Sequence, residues 1–277
     1  MSLLLMSRLP FACLEPWHGP TSQILLICMA ARFSLASGLL RSDVHGKVYH
    51  QPLSCGIHGE FHTGDDMAHF KIVYQGYPLD LAVEEPRITL RASSGSWPGK
   101  TLEDYVVLDL NVTSPKFFFD PNNDPEDDVS QWLNPALDTQ WLKIPVKRFE
   151  NRDYRSLQDI RADFQGEGTR NALTGEDWWE APGLITTYSD EFFTRADIAI
   201  RHDGSGTFSV QLSGTTQFDT AFDIAFSAPL SVRLVGYRNT ATKDELLGWF
   251  DRFLKKDDFT FTSLQRGEDL YLDGTVK

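Results

Sequence analysis

From Ala68 to the C-terminus, apolar and polar residues alternate with a period of two in one segment after another. Successive side chains of a strand point to opposite faces, so this pattern demands strands with one face on a core and one in water. The expected strands are Ala68–Gln75, Arg87–Ala92, Tyr105–Thr113 and Lys116–Asp120, then Ala196–His202, Thr207–Ser213, Phe218–Phe226, Ser231–Tyr237, Phe259–Ser263 and Asp269–Leu272. Asp203-Gly204 between two alternating runs is the strongest hairpin signal, with Gln75-Gly76 and Ser94-Gly95 weaker ones.

Three segments read as helices. Lys243–Lys256 begins with Thr242 and Glu245 in a capping box, places Leu246, Leu247, Phe250, Phe253 and Leu254 on one face, and ends on Lys255 and Lys256. Pro125–Leu133 has Pro at its first turn and Glu126, Asp127 and Asp128 at the end where anions suit the dipole. Ser156–Phe164 puts Leu157, Ile160 and Phe164 on one side. The fold class is therefore α+β: strand-dominated antiparallel sheets with two or three short helices.

Sliding the chain by 117 residues lays Tyr105–Leu133 on Phe222–Phe250 without a gap, matching Ser114 with Ser231, Asn122 with Asn239, Asp127 with Asp244 and Trp132 with Trp249. The matched order of strand, strand, turn and helix suggests two related α+β lobes, 67–164 and 187–277. The turn-rich stretch 165–186 is their expected linker. One continuous sheet system with inserted helices is the alternative.

Residues 1–66 differ from the rest. They hold Cys13, Cys28 and Cys55, and five of the seven histidines, and everything after Met67 lacks both Cys and Met. They carry almost none of the formal charge of -13, which belongs to the chain from Met67 onward. Ile24–Ala31 could form a short signal core, MAARFSLASGLLRS from Met29 has the character of an organelle presequence, and MAHFKIVYQGY from Met67 reads as a true start followed by a strand. The segment is expected to be a poorly ordered extension, a targeting segment or a start placed too far upstream. A body without cysteine is not held by disulfides, and the expected location is the cytoplasm.

Motifs for chemistry fail on spacing. Gly95 stands one residue late for the phosphate loop that Gly99-Lys100-Thr101 would complete. Asp120, Asn122 and Asp124 begin a calcium loop, but Pro125 replaces its glycine and Gln131 its bidentate Glu. His58, His62, Asp65, Asp66 and His69 are rich in zinc-ligand types at no defined spacing. Only His69 and His202 remain as imidazoles in the body, and no GxSxG elbow exists. No metal, cofactor or catalytic residue is expected, and the balance points away from an enzyme.

The acidic balance opposes phosphate-backbone binding, so no nucleic acid is expected. The one basic patch (Lys143, Lys147, Arg148, Arg152 and Arg155) is interrupted by Glu150 and Asp153 and reads as a solvated face or an acidic-partner contact. No apolar run is long enough to span a membrane. The leading expectation is an acidic protein-binding module, of the inhibitor or immunity type, for a basic partner. Its expected contact set is Asp120, Asp124, Glu126, Asp127, Asp128 and Trp132. The alternative is a carbohydrate-binding or carbohydrate-active β-rich protein using Trp178 and Trp179 with Asp177 and Glu180, or with the neighbouring Glu176.

Overall fold

The computed structural model describes residues 68–93, 105–126, 128–239 and 241–277. The readings made for 1–66, for Ser94-Gly95, for Gly99-Lys100-Thr101 and for Asp127 lie outside them. The strands are β1 (His69–Tyr74), β2 (Tyr77–Leu81), β3 (Glu84–Ser93), β4 (Tyr105–Thr113), β5 (Phe117–Phe119), β6 (Gln131–Leu133), β7 (Ala136–Asp138) and β8 (Lys143–Pro145). They continue with β9 (Ile160–Phe164), β10 (Leu184–Thr186), β11 (Asp190–Gly204), β12 (Thr207–Thr216), β13 (Ala221–Gly236), β14 (Phe259–Arg266) and β15 (Asp269–Val276). Among the described residues α1 (Lys243–Phe250) is the one α-helix, accompanied by short 3-10 turns. The protein is strand-dominated with few helices.

β13 organises the rest. Its first half lies between β1 and β12, and its second half between β3 and β15. The strand path β12-β11-β10-β7-β4-β3-β13 closes on itself because β12 also pairs with β13. Of the ladders described, β3–β13 alone is parallel. Phe222, Ile224, Phe226, Ala228, Leu230, Val232 and Leu234 are all buried, so one alternation serves both halves. Two strands were expected here. Pro229 lies between them and stays exposed where the partners change, a site that tolerates its missing N–H.

The other core positions follow the same parity. β4 buries Val106, Leu108, Leu110 and Val112. β11 buries Phe193 and then Ala196, Ile198 and Ile200, and the bulge between Phe193 and Arg195 supplies the change of phase. Two hairpin turns have two residues at positive φ, the geometry that matches strand twist: Gln75-Gly76 between β1 and β2, and Ser205-Gly206 between β11 and β12. The second reversal falls just past the expected Asp203-Gly204, because a register shift sits between His202 and Gly204.

Two expected helices are absent. Over the described residues 125–126 and 128–133 the chain makes turns and then β6, because Asp120 and Asp124 accept the backbone N–H groups of Asp124 and Glu126 and fix a turn instead. Over 156–164 a 3-10 turn at Tyr154–Leu157 and a left-handed Asp159 precede β9, which buries Ile160, Ala162 and Phe164 at period two. The 117-residue offset thus sets α1 against turns and β6. The capping box of α1 forms as expected: Thr242 N–H donates to Glu245 Oε2 at 2.7 Å and Glu245 N–H to Thr242 Oγ1 at 3.3 Å.

The described residues from Ala68 to Lys277 cluster as one compact unit. The expected linker 165–186 carries β10 and contributes Trp178 and Ile185 to the same core as β4 and β13. No helix among the described residues is long and apolar enough to cross a membrane.

Buried Thr139 joins β4 to the loop after β7. Its Oγ1 accepts from Leu110 N–H at 2.8 Å and donates to the Leu108 carbonyl at 3.0 Å. Thr139→Val keeps the volume but removes the partner of both groups. It is expected to lower unfolding free energy by about 1–3 kcal/mol in urea denaturation.

Candidate functional site

The β5–β6 pair forms a small separate sheet in which Phe118 stands opposite Trp132. Alternation buries Phe119 and Leu133 and sends Phe118 and Trp132 to the other face, where Trp132 is 58% exposed. The two outward rings meet edge-on at 5.5 Å, and Lys116 Nζ lies 5.1 Å from the Trp132 ring centre. Phe119 anchors the pair by edge contacts to Tyr74 and Tyr77 at 5.4 and 5.6 Å. Gln131 Nε2 donates to the Tyr74 hydroxyl at 2.6 Å.

The acidic residues occupy the connecting loop. Asp120 Oδ1 accepts from Asp124 N–H at 2.8 Å and from Ser130 Oγ at 3.1 Å, and Asp124 Oδ1 accepts from Glu126 N–H at 3.1 Å. Asp120 and Asp124 therefore shape the loop, while Glu126 and Asp128 face solvent. Among the described residues no group of three or more His, Cys, Asp or Glu is arranged to hold a metal ion.

The same end of the molecule gathers other exposed rings. Tyr74 ends β1, Ala221 opposite Val73 begins β13, and Thr216 ends β12 beside the start of β11. There Tyr77, Tyr188, Phe192 and Phe218 join Phe118 and Trp132 as exposed aromatics. Beneath them Glu191, only 2% exposed, accepts hydroxyl protons from Thr187 at 2.6 Å and Thr216 at 2.7 Å. Thr216 Oγ1 in turn accepts from the N–H groups of Phe218 and Thr220, which fixes the turn presenting Phe218. Burial, and then the Glu191 charge, push the Tyr74 phenol above its ordinary value. Sequence reasoning found Trp132 but not this gathering, because it depends on which strand ends meet.

The alternative carbohydrate residues are separated. Trp178 is 5% exposed and packs edge-on against Phe164 at 5.9 Å, whereas Trp179 is 72% exposed. The two rings do not share a wall. Asp177 lies 3.5 Å from Arg170, and Glu180 is exposed. His69 Nε2 lies 3.4 Å from Asp223, and His202 stands between the rings of Tyr154 and Phe208.

A second polar feature crosses β3, β4 and β7. Arg91 Nε lies 3.1 Å from Asp109 Oδ2, and Arg91 also donates to the Gln140 carbonyl at 3.2 Å. Burial drives the Asp109 carboxyl up to about 6, with Arg91 opposing the rise and Asp138 adding to it. Burial raises Asp138 as well. An adjoining groove of about 210 Å³ is lined by Asn111, Asp138, Gln140, Thr186 and Asp190 among others. Neither Asp109 nor Asp138 stands out in sequence, since each simply occupies an outward position of an alternating strand.

Comparison with protein-family models, with curated proteins and with solved structures finds no match to this chain.

The Asp109 displacement has a definite linkage. Below its unfolded value near 3.8 both states are protonated, and between there and about 6 the folded chain holds the extra proton. Stability from this group therefore falls as pH rises through that window and is flat above it. Asp109→Asn removes the fall. Urea unfolding is expected to show the variant gaining on the wild type by up to about 3 kcal/mol as pH passes from about 3.5 to about 7.5.

Proposed function

We propose that the chain is a protein-binding module that holds a basic partner at the aromatic, acidic end built around β5 and β6, in the manner of an inhibitor or immunity-type protein. The observation that carries this reading is the exposed Trp132–Phe118 pair on an acidic loop already fixed by Asp120 and Asp124. Exposed clusters of large aromatics mark interaction surfaces, and Trp and Tyr are favoured anchors there. A formal charge of -13 attracts a basic protein at long range and repels nucleic acid. Glu126 and Asp128 add local negative charge beside the anchors, while Lys116 over Trp132 gives the patch one cation of its own. A loop held by its own side chains loses little freedom on binding. The reading includes a cytoplasmic location, supported by the cysteine-free body.

A second reading keeps the sugar-binding expectation on Trp179, whose exposed ring beside Asp177 and Glu180 is suited to stacking on a saccharide.

The test is affinity capture from the native source at low salt, followed by affinity measurement with the purified captured protein. A basic protein is expected to bind the full chain, to weaken about tenfold or more with Trp132→Ala, and to associate more slowly with Glu126→Gln and Asp128→Asn together. Capture of no basic protein, or one whose affinity ignores Trp132→Ala, contradicts the proposal. Glycan binding abolished by Trp179→Ala would transfer support to the second reading.

A further inference from the structure

The basic patch lies away from the aromatic end. Of its five cations, three are already engaged. Lys143 Nζ lies 4.5 Å from the Tyr105 ring centre, Arg152 pairs with Asp251, and Arg155 pairs with Asp153 while lying over Tyr154. Lys147 and Arg148 remain, and among the described residues neither shares an ion pair. Arg148 Nε is buried without a hydrogen-bond acceptor among the described residues.

These two residues line a pocket of about 590 Å³ with Pro145, Gln158, Asp159 and Leu173. Ser156 lines it too, its hydroxyl proton donated to the Asp153 carbonyl at 2.6 Å, which leaves the oxygen as an acceptor. The local backbone is held in uncommon geometry, with Asn151, Arg152 and Asp159 all at positive φ. Such conformations persist where surrounding structure enforces them and recur at ligand sites.

We propose that this pocket binds a phosphate group, carried by a small sugar or polyol or free in solution. Two cations suit a dianion, and an arginine fork matches phosphate oxygens in pairs. The Gln158 amide can donate to the same group or to a sugar hydroxyl. The volume exceeds that of a bare phosphate and falls in the range of small-molecule sites. Pro145 and Leu173 give the carbon skeleton an apolar surface. Asp159 is the one carboxylate of the lining, so it opposes a second anionic group on that side of the ligand.

Titration calorimetry of the full chain in phosphate-free buffer tests this with glucose 6-phosphate, inorganic phosphate, and glucose as the uncharged control. Saturable one-to-one binding of glucose 6-phosphate is expected, with glucose silent. Lys147→Gln, an exposed position that leaves the core untouched, is expected to weaken binding about tenfold, and Asp159→Asn to tighten it several-fold. Equal affinity for inorganic phosphate supports the site and assigns it to the free ion, whereas tighter glucose 6-phosphate binding supports the ester. Absence of saturable binding by both, or affinities unchanged by Lys147→Gln and Asp159→Asn, overturns the proposal.

Discussion

The backbone hydrogen bonding of β13 is the constraint on which the structure depends. Sixteen residues in one extended run bond to β1 and β12 in the first half and to β3 and β15 in the second. A strand shared in this way turns two sheets into one closed system around a single core. The inward side chains from Phe222 to Leu234 are then common to both halves, and neither half buries its apolar face without the other. Non-local pairing of this kind carries a high loop-closure cost, because β3 and β13 come from distant parts of the sequence.

Site positions follow from the same frame. Glu191 and the exposed aromatics belong to the start of β11, whereas β9 meets β11 near Ile200 and leads back to Asp159 and the basic pocket. Nine residues along an extended strand separate these points by about 30 Å. The acidic, aromatic end and the basic pocket are therefore distinct surfaces, and a protein partner and a small anion would not compete by direct overlap. Charge is sorted in the same sense, with Glu126 and Asp128 on one surface and Lys147 and Arg148 on the other.

Much of this fold was legible in the sequence where a local pattern had one solution. β4 has the bounds that its alternation implies, and Thr242 with Glu245 starts α1 as the capping box implies. Legibility failed where two periods fitted the same letters. Leu157, Ile160 and Phe164 suit a helical face, but Ile160 and Phe164 with Ala162 equally suit the strand that forms. The acids after Pro125 favour a helix start in isolation, yet Asp120 and Asp124 bind backbone N–H groups first. Trp178 and Trp179 lie in irregular chain without a period, so nothing local distinguished the core ring from the exposed one. Asp109 is hidden for a different reason: its burial depends on which strands flank β4.

Native-state hydrogen exchange across β13 tests the shared-strand account most directly. If both halves belong to one cooperative core, the ladder amides of 222–228 and 230–235 share the slowest class and open together as denaturant rises, along with β3 and β12. If the first half, with β1 and β12, opens at a markedly lower free energy than the second half, with β3 and β15, then β13 links two independent lobes and the account fails.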